Sequence, residues 1–106
     1  MYKLYVFCPD KEEMIISVMD EATKAGAGVI GNYTGCGFYT KGTGNWKSGE
    51  GSHPVIGKVG EYSHEPEVRI EMICPNDKAV AVKKAIKSVH PYEEPEIDFV
   101  ELVEVE

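Results

Sequence analysis

An α+β fold of order β-α-β-β-α-β follows from three observations in the amino-acid sequence. Two segments of matching design, Tyr5-Val6-Phe7-Cys8-Pro9-Asp10 and Glu71-Met72-Ile73-Cys74-Pro75-Asn76, each run from a strand-like stretch through Cys-Pro to an Asx residue. Each is followed by a segment whose apolar residues recur every three or four positions. The stretches leading into both Cys-Pro pairs alternate at period two, as do half-buried strands. The 106 residues suffice for one hydrophobic core and not for two, so the expectation is a single domain over 1–106.

The first strand is expected at residues 2–8, with Tyr2, Leu4, Val6 and Cys8 on one face. Pro9 ends its ladder, because proline has no N–H to donate. Asp10 is then expected to cap a helix over residues 11–25, with Glu13 completing a capping box. Met14, Ile15, Val18, Met19, Ala22 and Ala25 form that helix's apolar stripe, and Gly26 and Gly28 stop it. A Tyr- and Phe-rich strand is expected over 31–40. Residues 41–65 read as an inserted Gly-rich loop or hairpin, in which a short strand over 55–62 could pair with 43–47. A long insertion of this kind in a small domain is usually functional or mobile. The second half repeats the first: a strand at 68–74 (Val68, Ile70, Met72 and Cys74 on one face), Asn76 as cap, and a helix over 77–89 carrying Ala79, Val82, Ile86 and Val89. His90-Pro91 ends that helix. The last strand, 97–105, alternates less cleanly, since Phe99-Val100 and Leu102-Val103 are adjacent apolar pairs; a bulge, or an outer face covered by another subunit, accounts for that. This is the ferredoxin-like βαββαβ sandwich built on split βαβ units.

Composition narrows the function. Hydrophobic residues make up 42% and charged residues 27%, a globular balance. The net charge of −7, from 18 acidic against 11 basic residues, repels phosphate backbones, so no nucleic-acid partner is expected. No apolar run is long enough to cross a bilayer, and the N-terminal segment has no signal-peptide character. The expected location is cytoplasmic. The three cysteines, without a CxxC, argue against a disulfide framework or a zinc knuckle.

Four constellations could carry chemistry. The glycine loop lacks the P-loop pattern and any G-x-G-x-x-G, which excludes nucleotide enzymes of either kind. Gly42, Thr43, Gly44, Trp46 and Lys47 could still contact a ligand, their backbone N–H groups cradling an anion beside Lys47; the alternative is a hairpin that packs or grips a neighbour. His53, His64, His90, Cys36, Glu93 and Glu94 are metal-ligating residue types without ligand spacing. Cys36 with His53 or His90 is conceivable for nucleophilic catalysis, against a reading in which Cys36, between Gly35 and Gly37, marks a close backbone approach. Cys8 and Cys74 read as small buried hydrophobes. In His90-Pro91-Tyr92-Glu93-Glu94-Pro95-Glu96, two prolines fix an extended turn that serves either as a connector or as the lip of a binding cleft, with His90, Tyr92 and Glu93 facing the ligand.

The run Gly26-Ala27-Gly28-Val29-Ile30-Gly31-Asn32-Tyr33, then Cys36-Gly37-Phe38, Gly42-Thr43-Gly44, Glu67-Val68-Arg69-Ile70-Glu71 and His90-Pro91-Tyr92-Glu93-Glu94, closely resembles the insert domain of YqfO-type proteins of the NGG-interacting-factor-three family. The likeness covers nearly the whole chain. The segment from His90 to Ile97 is also similar to that of CutA-type divalent-cation tolerance proteins. Both groups share the ferredoxin-like fold of PII signalling proteins, which assemble as trimers through their sheets. The resemblance implies a binding or sensing module, homo-oligomeric and by preference trimeric, that takes a small unidentified ligand or a metal ion in clefts between subunits. A divalent metal at His90 and Glu93 is implied only by the CutA-like segment. The two-metal site of the full-length family, built from His, Asp and Glu of flanking domains, has no counterpart here, so no hydrolase-like activity carries over. The competing readings are a copper or zinc tolerance protein and a small enzyme using Cys36 or His90.

Overall fold

A computed structural model describes residues 1–106. The elements are β1 (Tyr2–Pro9), α1 (Glu12–Lys24), β2 (Phe38–Lys47), β3 (Tyr62–Cys74), α2 (Ala79–Val89) and β4 (Ile97–Glu101). They make one antiparallel sheet of order β2-β3-β1-β4, the arrangement expected of the ferredoxin-like sandwich. The two Cys-Pro strands are its central pair. They run antiparallel with Tyr2 opposite Cys74 and Cys8 opposite Val68, so the internal repeat becomes a pseudo-twofold.

Both helices lie on one face of the sheet. Leu4, Val6, Cys8, Val68, Ile70, Met72 and Cys74 point into that side and are buried with Ile15, Val18, Ala22, Val82 and Ile86. Each such aliphatic contributes about 1.5–3 kcal/mol by leaving water, and every one lies on a face given by period-two or helical spacing. Gly28 joins α1 to the sheet edge. Its N–H donates to the Ile73 carbonyl and its carbonyl accepts from the Cys36 N–H. A β-carbon there would sit 2.8 Å from the Cys36 oxygen and 2.7 Å from Met72 Cε, with φ at +75°. The close approach expected around Cys36 is therefore real, although it lies in a loop and not in a strand.

Several boundaries depart from expectation. Asp10 does not cap α1. Its N–H bonds to the Pro66 carbonyl and prolongs the ladder by one residue, so Lys11 becomes the N-cap, without a side-chain bond, and the Asp10 carboxylate lies 3.7 Å from Lys41 Nζ. Asn76 likewise makes no cap; it opens a 3-10 turn, Asn76–Lys78, ahead of α2. The strand expected over 31–40 begins only at Phe38, because Gly31 and Gly35 take φ of +57° and +67°, values incompatible with a regular strand. The short strand expected over 55–62 is mostly loop, with Gly57 and Gly60 also at positive φ, and only Tyr62 belongs to the hairpin. In β4 the register is continuous from Ile97 to Glu101, so the bulge reading is wrong there. Beyond it Leu102 donates to the Met1 carbonyl, while Val103 and Val105 are exposed.

The feature that positions the site is the length of β2 and β3. β1 covers β3 only from Glu67 to Cys74. The pairs from Thr43–Pro66 to Lys47–Tyr62 continue past it as a two-stranded arm, roughly 17 Å long at about 3.4 Å per residue. It draws the molecule out to 48 × 24 × 24 Å.

Candidate functional site

A two-stranded arm alone is marginally stable in water, and here the segment after α2 braces it. His90 is buried and ties that segment to the sheet. Its Nε2 lies 2.7 Å from the Phe7 carbonyl, and its Nδ1 accepts the Tyr92 N–H at 3.1 Å. The proton therefore resides on Nε2, which donates to Phe7. Burial holds the imidazole below its ordinary pKa, outweighing the Phe7 bond and the nearby Glu67 charge, which act the other way. The Tyr92 ring packs against His90 at 5.1 Å and against Trp46 at 5.6 Å between centroids.

Tyr92 then donates its hydroxyl to Glu67 Oε2 at 2.7 Å. Burial, with the bond to Glu67 reinforcing it, pushes this phenol well above its ordinary pKa, so it stays protonated as the donor. Glu67 is only 9% exposed. Its carboxyl lies directly against Gly44 of the neighbouring strand, where any β-carbon would collide with it. Glu93 closes the far side: both its oxygens accept the His53 N–H, at 3.0 and 3.2 Å, and anchor the β2–β3 loop.

Together these contacts enclose a groove of about 690 Å3. Phe7, Thr40, Gly42, Glu67 and Arg69 lie on the helix-free face of the sheet, as the register requires. Trp46 and Tyr92 form a wall, and the loop residues Ser52, Pro54 and Val55 form a rim. Of the residues singled out from sequence, Gly42, Thr43, Gly44, Trp46, Lys47, Tyr92 and Glu93 all line this groove, although the two segments lie far apart in the chain. His90 does not; it sits behind Tyr92 and orients it.

The chemistry of these residues bears on three of the readings made from sequence. Gly42–Lys47 is regular strand, so its N–H groups alternate in direction and form no anion cradle, while Lys47 Nζ lies 5.6 Å above the Tyr62 ring. Both nitrogens of His90 are engaged with backbone groups and Glu93 is engaged with His53; no group of three or more His, Cys, Asp or Glu side chains converges to hold a metal. Cys36 lies outside the groove, its N–H bonded to Gly28. Glu67 and Phe7 went unrecognised as site residues. Glu67 stood only within the run Glu67-Val68-Arg69-Ile70-Glu71 of the family resemblance, on the face opposite the apolar residues of its strand, and nothing local pairs it with Tyr92.

An antiparallel βαββαβ module with an extended hairpin arm and a groove at its base is a class with known members. The divalent cation tolerance protein CutA1 of Thermus thermophilus superposes with a TM-score of 0.71 at 16% identity, over 99% of this chain and 86% of its own, which establishes the shared fold. A Bacillus cereus protein related to NIF3 superposes with a TM-score of 0.81 at 38% identity, over 95% of this chain and 25% of that one. In sequence, a GTP cyclohydrolase 1 type 2 homolog of Listeria innocua is 43% identical over 97 residues, 91% of this chain and 26% of the relative. No family profile matches the chain. The chain is thus a homologue of one segment of YqfO/NIF3-type proteins, and it spans about a quarter of the length of the relatives it matches. No helix is long and apolar enough to cross a membrane.

Proposed function

We propose that this chain is a non-catalytic binding or sensing module that takes a small ligand in the groove between the arm and the His90–Glu96 segment, and that it works as a homo-oligomer, with a trimer favoured. The observation that carries this reading is the Tyr92–Glu67 pair. A buried carboxylate, a phenol kept protonated and two aromatic rings line a volume suited to a small molecule. None of these residues is arranged as a nucleophile with a base, which supports binding over turnover.

The oligomer reading rests on the helix-free face of the sheet. Phe38 and Val100 are 65% and 49% exposed there, beside half-buried Tyr5 and Ile73. They alternate across the strands with Glu71 and Lys3, a mixed surface of the kind that a second copy can cover with both apolar and charged contacts.

The test uses Trp46, the chain's one tryptophan, as reporter. A small-molecule collection is screened by thermal shift, since a ligand that binds only the folded state raises its stability. A hit is expected to change Trp46 emission as well, and to lose both effects in Gly44→Val, which displaces Glu67. Hits that stabilise the protein without touching Trp46, and that act equally on Gly44→Val, would place the site elsewhere.

A further inference from the structure

The charges around the groove are unequally committed. Its three cations all have partners: Lys41 lies 3.7 Å from Asp10, Arg69 lies 3.4 Å from Glu71 and 5.7 Å from the Tyr5 ring, and Lys47 covers Tyr62. Among the acids, Glu93 is occupied by the His53 N–H. Glu67 and Glu96 have no salt-bridge partner. Glu67 receives one hydrogen bond, at Oε2. Since no buried side-chain polar atom of the protein lacks a partner, its unbonded Oε1 is not fully buried, and Glu67 lines the groove. The Asp98 carboxyl beside Glu96, with burial and a smaller push from the Glu67 charge, holds the Glu96 carboxyl above the ordinary range.

A carboxylate nine-tenths buried with no counter-charge is costly, and a cation that reaches it removes that cost. The Trp46 and Tyr92 rings line the same groove, and aromatic rings attract cations as well. We infer that the groove selects an organic cation, an ammonium or guanidinium group on a small molecule, with Glu67 as the residue that determines this specificity. A planar guanidinium suits the geometry: it can donate to Glu67 Oε1 while stacking on an aromatic ring. A bare divalent ion suits it less, because such ions need several ligating groups and no three ligating side chains converge.

This inference rests on the groove being the ligand site, and the experiment separates the two. The full chain is titrated with agmatine as cationic probe, adenosine as neutral heteroaromatic and ATP as polyanion, with Trp46 emission and calorimetry as readouts. Agmatine is expected to bind saturably, more weakly as salt rises. In Glu67→Gln, which keeps an acceptor for Tyr92, its affinity should fall about tenfold or more. If adenosine or ATP perturbs Trp46 and agmatine does not, the groove stands and the cation selectivity is refuted. Equal agmatine affinity in wild type and Glu67→Gln removes Glu67 from its role. If none of the three perturbs Trp46, the cation inference is refuted, and the groove reading is left to the thermal-shift screen.

Discussion

Tyr92 connects three parts of the protein through one side chain: its ring touches Trp46 on the arm and His90 beneath it, and its hydroxyl meets Glu67 on β3. Tyr92→Phe keeps the stack and removes only the donor. Denaturant unfolding is expected to show a loss of roughly 1–2 kcal/mol, because the carboxylate left behind is buried but still opens one oxygen to the groove. Unchanged stability would mean that water replaces the phenol there. His90 sets a pH dependence. Its folded pKa lies below the ordinary 6.5, so the unfolded chain takes up a proton there before the folded protein does. Its contribution to stability is therefore complete above pH 6.5 and is lost as pH falls below it. His90→Gln, measured beside wild type between pH 7.5 and about 5, is expected to be less stable at pH 7.5 but flatter in slope; parallel slopes would exclude His90 as the source.

At the scale of elements, the arm and the α1–β2 connection carry the distinctive geometry. Gly28 is held between Ile73 and Cys36 by two backbone hydrogen bonds at a positive φ. Gly28→Ala is expected to cost about 1–3 kcal/mol from the left-handed backbone and the clash with the Cys36 carbonyl. Gly42→Ala, on β2 and facing open space, serves as the control and should change folding stability far less. Comparable losses in thermal unfolding would show that the connection is not the tight point. The helices and central strands were legible because their signal is periodic and local: Ile15, Val18 and Ala22 on α1, and Leu4, Val6 and Cys8 on β1, are buried as their spacing implies. The caps were not legible. Whether Asp10 caps α1 or continues the ladder depends on the Pro66 carbonyl, which belongs to another strand. The reach of β3 back to Tyr62 was hidden too, because His64, Glu65 and Pro66 lack strand character and are held extended by pairing with β2.

The whole molecule is two-sided, with helices over one face of the sheet and mixed apolar and charged side chains over the other. If copies associate through that second face, Phe38→Asp should lower the mass measured by light scattering at micromolar concentration. It should leave the far-ultraviolet circular dichroism intact, since Phe38 is exposed and outside the core. A wild-type protein that is monomeric under those conditions would remove the oligomer from the proposal and leave the groove of the single chain as its only site.

The amino-acid order by itself determined the two-layer α+β architecture and the matched halves. Those follow from spacing along the chain, which polar and apolar periodicity records directly. Only the tertiary structure decided what the groove residues do together. It set Tyr92 on Glu67, Glu67 against Gly44, both nitrogens of His90 on backbone and Glu93 on His53. Each of these is a contact between distant segments, fixed by how the arm and the segment after α2 meet, and no local pattern encodes where two such segments touch.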